Sequence, residues 1–215
     1  MEKKQNNVPQ NVMEEQAMRD NAIAKVNKKL IIGCVVAFVA ILAGAGIWYW
    51  VHTANVEKAN EAIGKADMEL NDSVRSAMYK QIADDGSNAP NQRARIMTAI
   101  NYYDQEKYQE ALDYLDKVSV GSDVVTVGVS CLKGDCYVNL NKLDEALDCY
   151  SDALDQADGN PQLVPYVLLK EANIYRSQKK YDKEYECYSA MRTDYPTFMP
   201  DIEKYYERAK IAAGK

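Results

Sequence analysis

The pattern of hydrophobic and polar positions divides the chain into three parts. Residues 1–29 are mostly polar, residues 30–51 are uncharged and largely apolar, and residues 52–215 repeat apolar positions with a helical period. Glycine, proline and asparagine interrupt the third part about every 12 to 18 residues, a normal helix length. Apart from a short valine-rich piece at 124–129, strand patterns are missing. The pattern predicts an all-α chain with helices near 55–70, 73–84, 91–104, 107–118, 124–140, 143–156, 161–178, 181–193 and 199–212.

The apolar run predicts a single transmembrane helix over residues 30–51. Its sequence, LIIGCVVAFVAILAGAGIWYWV, contains no charged residue. At 1.5 Å per residue it is about 33 Å long, which matches a hydrocarbon core of roughly 30 Å. Trp48, Tyr49 and Trp50 lie together at its C-terminal end, where an interfacial aromatic belt is expected.

The charges on the two sides of this run predict its orientation. Residues 1–29 hold six Lys/Arg and four Asp/Glu, and Lys25, Lys28 and Lys29 flank the run. Residues 52–215 hold twenty Lys/Arg and twenty-eight Asp/Glu, a net charge of −8. Because positive charge is retained in the cytoplasm, we expect residues 1–29 on the cytoplasmic side and residues 52–215 outside. The polar tail is expected to be mostly disordered, with a short helix over about 12–24.

The apolar run has three alternative interpretations. A cleaved signal peptide is the main alternative, because Ala43-Gly44-Ala45 resembles a cleavage site. The long basic leader and the apolar residues that continue to Val51 favour an uncleaved span. A buried core helix would be shorter, and only four residues of the run precede Cys34, which disfavours lipid modification there. Small residues at four-residue or similar spacing can pack two spans together, although they are also ordinary in a span: Gly33, Ala37, Ala40 and Gly44.

Three segments of the acidic part share one pattern: NYYDQEKYQEALDYLDKV, YVNLNKLDEALDCYSDAL and IYRSQKKYDKEYECYSAM. In each segment the second helix opens at Tyr108, Leu143 or Tyr181, so the periods are 35 and 38 residues. Each segment covers the end of one predicted helix, the first helix, and the beginning of the next, the second helix. On each first helix a small residue lies three positions before a tyrosine, and small and aromatic residues recur on the second helices. The repeated positions are Ala99, Tyr102, Tyr108, Ala111, Gly134, Tyr137, Ala146, Tyr150, Ala153, Ala172, Tyr175, Tyr188 and Pro196.

This pattern resembles the tetratricopeptide repeat, whose signature places small and aromatic residues at corresponding positions of two helices. Glu184 departs from it, since alanine is expected there. The resemblance implies a superhelix of antiparallel helix pairs. Its repeats would cover approximately 92–125, 127–160 and 165–198, after a degenerate helix pair at 55–84 and before a capping helix at 199–212. Small residues at helix crossings admit aromatic rings, so a large residue at Gly134 or Ala146 should overpack the joint.

Stacked pairs of this kind expose a concave face lined by the first helices. Alignment of the copies places a mixed set of residues there, and the set suits a protein segment better than a charged small molecule. Ile96, Cys131 and Leu169 stand where chaperone-binding repeats would need lysine, so a carboxylate clamp is not expected. The predicted protein-binding face comprises Arg93, Ile96, Ile100, Tyr103, Cys131, Asp135, Val138, Asn139, Tyr166, Leu169, Asn173 and Arg176.

Composition argues against several classes of function. The acidic part should repel nucleic acid, because phosphate binding depends on Lys and Arg. With a lone histidine, His52, and no paired cysteine motif, no metal site is expected. We expect no catalytic site and no cofactor, since no nucleophile with a base and no glycine-rich phosphate loop is evident. The cysteines of the acidic part are expected to serve as small apolar residues, buried or half-buried: Cys131, Cys136, Cys149 and Cys187. A disulfide between two of them in an oxidising compartment is the alternative.

The whole arrangement also resembles a group of bacterial membrane proteins with a basic tail, one span and an extracytoplasmic repeat domain. The group includes the ancillary translocon subunit of the YfgM type and tetratricopeptide membrane proteins of Bacteroidetes. The segments KYQEALDYLDKV and KKYDKEYECY and the helix at 57–66 carry this resemblance. It implies an inner-membrane, single-pass scaffold with a periplasmic domain that binds proteins near the secretion translocon or its clients. The alternatives are a self-associating scaffold and an adaptor in envelope assembly, at the outer membrane or in cell division.

Overall fold

The computed structural model describes residues 11–15, 18, 28–119 and 124–215. All regular structure in these ranges is helical, as the sequence predicts, including the valine-rich piece at 124–129. Residues 11–15 and residue 18 are helical, in keeping with the short tail helix predicted over about 12–24. The remainder of that helix, the predicted disorder of the tail and the break at Gly121 and Ser122 lie outside the described residues. The chain forms two compact units, Met1–Asn55 and Val56–Lys215.

Helix α1 (Lys28–Met68) contains the apolar run. The helix does not end at residue 51 but continues to Met68. The prediction of a separate helix at 55–70 is therefore wrong, because these residues continue α1. No glycine or proline lies between Val51 and Val56, and nothing in that stretch ends a helix. The apolar part has a mean hydropathy of 2.8 and none of it is buried, so it is not a core helix. By length and composition it is able to cross a membrane.

The second unit combines the end of α1 with eight further helices that its described residues form. Consecutive helices from α2 onward pack against each other in chain order, and α5 also contacts α7. The helices are α2 (Asp72–Asp84), α3 (Ala89–Asp104), α4 (Tyr108–Leu115), α5 (Val124–Asn139), α6 (Leu143–Ala157), α7 (Leu163–Ser177), α8 (Tyr181–Asp194) and α9 (Ile202–Ala212).

The turns from α3 to α4, α5 to α6 and α7 to α8 have the same backbone geometry. Each contains a residue with positive φ: Glu106 at 60°, Asn141 at 57° and Lys179 at 58°. The next residue, always a lysine, donates its N–H to a tyrosine carbonyl five positions earlier, at 2.8–2.9 Å. This left-handed cap ends one helix and aims the chain back along it. The second helices therefore begin at Tyr108, Leu143 and Tyr181, as predicted.

Lys179→Gly is expected to raise the free energy of unfolding by about 0.5–1 kcal/mol. Glycine adopts positive φ without the Cβ clash that lysine suffers at this position. Urea denaturation followed by circular dichroism measures the change. The matched control is Lys180→Gly, because Lys180 has a φ of −84° and gains nothing from glycine. A Lys179→Gly variant no more stable than its control would show that the turn is not strained.

The predicted small positions are the places where helices meet. Ala99, Ala111, Ala146, Ala153 and Ala172 are fully buried. Around them the aromatic partners are buried, as with Tyr150 and Tyr188, or half-buried against the core, as with Tyr102, Tyr108, Tyr137 and Tyr175. The remaining predicted position, Pro196, is exposed after α8.

Gly134 shows the closest of these approaches. A Cβ atom on this residue would lie 2.3 Å from Cε1 of Tyr150, whose ring is 2% exposed. Only the missing side chain lets α6 place its tyrosine against α5. The close contact predicted at Gly134 is therefore present.

The last helix, α9, covers α8 with Ile202, Tyr206 and Ala209, all buried. It also provides the partner of Glu184, the residue that departs from the small-residue pattern. Glu184 is 1% exposed, and its Oε1 accepts a hydrogen bond from Nη2 of Arg208 at 2.7 Å. The Arg208 guanidinium lies 5.1 Å from the ring centroid of Tyr205. A buried carboxylate at this position is tolerated because the next helix neutralises it.

Glu171 is buried on α7 without a partner of that kind. No hydrogen bond or ion pair to its side chain is formed within the described part of the chain. Burial raises the pKa of its carboxyl group above the ordinary value of 4.5. The folded state therefore holds this proton more tightly than the unfolded chain does. Its contribution to stability is present at low pH and is lost as the pH rises through the raised pKa.

Glu171→Gln is expected to stabilise the protein by about 1 kcal/mol at neutral pH, because the amide avoids burying an unpaired charge. Near pH 3 the variant and the natural protein should be about equally stable, since the carboxyl group is then protonated in both the folded and the unfolded state. Urea denaturation at a series of pH values measures the difference. Glu110→Gln, on the exposed side of α4, is the control. A gain that is the same at every pH would exclude the buried charge as its cause.

Candidate binding face

Helices α3, α5 and α7 each present a large apolar side chain to solvent. Ile100 is 37% exposed, Val138 is 36% exposed and Tyr166 is 45% exposed. All three belong to the face predicted from the repeats. We call the exposed side of these three helices the first-helix face. This surface is a candidate for contact with another molecule, because each of the three helices exposes an apolar side chain on it.

The structure places most of the predicted face residues at or near the surface. Four of them are half-buried at its base: Ile96, Tyr103, Asp135 and Leu169. The exposed members are Arg93, Ile100, Val138, Asn139, Tyr166, Asn173 and Arg176. Arg93 is already engaged, since its Nη2 donates to Oδ2 of Asp67 on α1 at 2.9 Å.

Cys131 corrects the prediction. Its side chain is 5% exposed and packs in the cluster that includes Tyr150 and Val167. Cys131 lies three positions before Gly134, on the side of α5 that meets α6, and its cluster contains residues of α6 and α7. Cys131 is therefore part of the core and not of the first-helix face.

Polar contacts connect the three helices of the face. The Nδ2 amide of Asn139 donates to the Tyr103 hydroxyl at 3.2 Å, which joins α5 to α3. Nζ of Lys170 donates to Oδ1 and Oδ2 of Asp135 at 2.7 and 2.9 Å, which joins α7 to α5. The hydroxyl of Tyr150 on α6 donates to the same Oδ1 at 2.6 Å. The face is thus held in place by the helices beneath it.

The charges of this network are balanced within it. Burial would lower the pKa of Lys170, but the hydrogen bond and the negative charge of Asp135 outweigh burial and raise it. Burial is the main cause that raises the pKa of the Tyr150 hydroxyl, and its hydrogen bond to Asp135 raises that pKa further. At neutral pH the lysine is therefore charged and the phenol is protonated. The Lys170 ammonium also lies 4.9 Å from the ring centroid of Tyr166, which favours the cation over an aromatic face.

A cleft of about 280 Å³ opens between α5 and α7 over this network. It brings together three predicted residues, Asp135, Val138 and Asn173. The rest of its lining was not predicted as part of the face: Leu143, Tyr150, Lys170, Ile174 and Ser177. Lys170 and Ser177 stand three before and four after Asn173, so a helical projection of α7 around Asn173 would have found both.

A second cleft, of about 400 Å³, lies between α1 and α2 in the second unit. Ala62, Met78 and Ile82 contribute its apolar lining. Lys58 on α1 and Asp85, the residue that follows α2, approach to 3.9 Å and are both well exposed. An exposed pair at that distance contributes little to stability. The sequence pattern of α1 and α2 did not predict this cleft.

The four cysteine thiols of the second unit are not activated as nucleophiles. Burial raises the pKa of the Cys131 and Cys149 thiols to about 11 and that of the Cys136 and Cys187 thiols to about 12. Thiols of this kind stay protonated and are poor nucleophiles at neutral pH. Cys131, Cys136 and Cys187 are buried and Cys149 is half-buried, as predicted. Within residues 28–119 and 124–215, no group of three or more His, Cys, Asp and Glu is arranged to hold a metal ion.

Comparison with models of known protein families gives no match, and comparison with curated proteins finds no similar one.

Proposed function

We propose that this protein is a membrane-anchored scaffold that binds segments of other proteins on its first-helix face. Three apolar side chains, Ile100, Val138 and Tyr166, support the proposal most strongly. Each is left open on a separate helix, whereas no large apolar side chain of α4, α6 or α8 is exposed. Such a row suits a polypeptide better than a compact small molecule, which would use a deeper and more enclosed cavity.

The helix pairs are proposed to be tetratricopeptide repeats that curve into a superhelix with the first-helix face on the concave side. The three equivalent turns at Glu106, Asn141 and Lys179 and the small-to-aromatic contact of Gly134 with Tyr150 support this assignment. The contact between α5 and α7 is the one expected when the first helices of adjacent pairs stand side by side.

The anchor is proposed to be the apolar part of α1, uncleaved, in a bacterial inner membrane. Residues 1–29 would be cytoplasmic and the second unit periplasmic, in keeping with the positive charge before the span. The partners are proposed to be the secretion translocon, its clients or envelope-assembly components. No catalytic, metal or cofactor role is proposed.

Orientation can be tested with a membrane-impermeant maleimide and the variant Asp152→Cys. Asp152 is exposed on α6, and the native thiols of the second unit are buried or half-buried. Under the proposal, the variant is labelled in cells in which only the outer membrane has been permeabilised. Labelling only after disruption of the inner membrane would place the second unit in the cytoplasm.

Chemical crosslinking in native membranes, followed by purification of the full chain, tests partner binding. Val138→Asp and Ile100→Asp should each remove most of the crosslinked partner, because a carboxylate on an apolar contact must be desolvated. Asp152→Lys on α6 is the control and should leave the partner in place. If the partner is lost only with Asp152→Lys, binding occurs on the opposite side of the helix pairs.

A self-associating scaffold is the second candidate, in which a neighbouring copy covers the first-helix face. Size-exclusion chromatography of the full chain in detergent separates the two. A dimer that Val138→Asp converts to a monomer would favour self-association over binding of other proteins.

A further inference from the structure

The helices of the second unit form a series, and the two ends of this series differ. Helices α2 to α9 pack against each other in chain order. At one end, α9 covers α8 with three buried residues, Ile202, Tyr206 and Ala209. At the other end, the cleft between α1 and α2 is open, and among the described residues only these two helices and Asp85 line it. A series of this kind needs a cover or a polar outer face at each end, so the first end is the one that a partner is able to cover.

The floor of this cleft is apolar and continues onto exposed surface. Ala62, Met78 and Ile82 line the cleft, whose volume is about 400 Å³. Val74 stands four positions before Met78 and therefore on the same side of α2, and its side chain is 46% exposed. We call the lining of this cleft, together with Val74, the first-pair surface. An exposed apolar side chain beside an apolar cleft favours contact with another molecule.

Opposite charges stand on the two edges of the first-pair surface. The edge on α1 holds Lys58, Glu61 and Lys65, a net charge of +1, and the edge at the end of α2 holds Asp85. These four side chains are 67–79% exposed, although Lys58 lies 3.9 Å from Asp85 and Lys65 lies 2.7 Å from Glu61. Exposed pairs of this kind contribute little within one molecule, so their charges stay available to a partner.

A second copy of the chain matches this arrangement of charges. In a two-fold dimer the same surface of both copies meets itself. When the α1 edge of one copy lies against the α2 edge of the other, Lys58 of each copy approaches Asp85 of the other, and the two apolar floors face each other. The charged residues of the surface sum to zero in a unit whose net charge is −8, so two copies repel each other less here. A strongly acidic or strongly basic partner would meet like charge at one edge.

We propose that the first-pair surface binds the same surface of a second copy and forms a two-fold dimer. The inference goes beyond the proposed function, because it assigns a second interface on helices other than α3, α5 and α7. It shares with that function only the anchor. Because the proposed anchor holds both copies in one membrane, their effective concentration is high, and a modest contact area is sufficient for association.

The test uses two charge variants of the full chain in proteoliposomes. The acidic copy carries Lys58→Glu with Lys65→Glu, and the basic copy carries Glu61→Lys with Asp85→Lys. All four side chains are exposed, so both copies are expected to fold, which circular dichroism checks. Each copy is labelled at its N-terminus with a donor or an acceptor dye. Energy transfer between the dyes measures association at a series of protein-to-lipid ratios.

The natural chain is expected to associate with itself. The acidic copy alone and the basic copy alone should each associate about tenfold more weakly, because like charges then face each other on both edges. A mixture of the acidic and the basic copy should associate at least as tightly as the natural chain. Val74→Asp should also weaken association about tenfold, because its carboxylate must be desolvated.

The matched control is Asp148→Lys with Asp152→Lys, two exposed positions on α6. This variant changes the net charge by the same amount as the basic copy does, and it should not weaken association. Absence of association of the natural chain at every protein-to-lipid ratio overturns the inference. So does an acidic copy that associates with itself as tightly as the natural chain, or a mixture that associates no better than each copy alone.

Val138→Asp separates this inference from the proposed function. The variant should leave the energy transfer unchanged, because Val138 lies on α5 and outside the first-pair surface. If Val138→Asp abolishes association and the charge variants do not, the copies meet through the first-helix face and the inference fails. Failure of the proposed function is seen separately, as crosslinking to other proteins that Val138→Asp does not reduce.

Discussion

Arg208→Ala is expected to lower the free energy of unfolding by about 3 kcal/mol. The substitution leaves the carboxylate of Glu184, 1% exposed beneath α9, without its partner at 2.7 Å. It also removes the stacking of the guanidinium on Tyr205 and Tyr188. A buried charge that has lost its counter-ion costs far more than an exposed pair contributes. Urea denaturation followed by circular dichroism measures the loss.

The double variant Glu184→Met with Arg208→Met is the control. Hydrophobic side chains of similar volume remove both charges together, so this variant should be at least as stable as the natural protein. The exposed pair of Lys183 and Glu186 gives a second comparison, and Lys183→Ala should cost less than about 1 kcal/mol. A loss below about 1 kcal/mol for Arg208→Ala would mean that Glu184 is not effectively buried.

Gly134→Ala is expected to destabilise the protein by about 1–2 kcal/mol, although alanine is the better helix former by about 1 kcal/mol. The new Cβ would lie 2.3 Å from the ring of Tyr150. That ring cannot move aside freely, since it is buried and its hydroxyl is bonded to Asp135. Overpacking of this kind costs about 1–3 kcal/mol, and with so close an approach we expect the cost to exceed the gain in propensity.

Gly128→Ala is the matched control on the same helix. Gly128 is exposed, and nothing lies within 4 Å of the position of its Cβ. This variant should gain about 0.5–1 kcal/mol from helix propensity alone. Denaturation of both variants under the same conditions gives the comparison. Stabilisation by both substitutions would show that α5 and α6 do not meet closely at Gly134.

Local patterns predicted much of the second unit. The starts of α4, α6 and α8 were predictable because the break and the first apolar residue of the next helix lie side by side in the sequence. The small positions were predictable because a repeat aligns Ala99 with Gly134 and Ala172. Both predictions depend on residues that are close together in the sequence, and within one helix pair such residues are also close together in space.

Contacts between distant parts of the chain could not be predicted in this way. Arg208 lies 24 positions after Glu184 and Lys170 lies 35 after Asp135, and neither pairing has a local signature. The predicted helix at 107–118 ends instead at Leu115. There Nη1 of Arg95, on α3, donates to the carbonyl of Lys117 at 2.8 Å and holds the chain in a turn. Cys131 was misplaced because alignment gives a helical position and not the depth of packing around it.

The central claim is that partners contact α3, α5 and α7 and not the second helices. A photoactivatable amino acid placed in turn at Ile100, Val138 and Tyr166, and for comparison at Asp113, Asp152 and Glu186, tests it in the full chain in living cells. All six positions are exposed, so accessibility does not favour either set. Adducts with the same partner at the first three positions, and little or none at the other three, are the predicted result. Adducts of equal strength in both sets, or confined to α4, α6 and α8, would contradict the account.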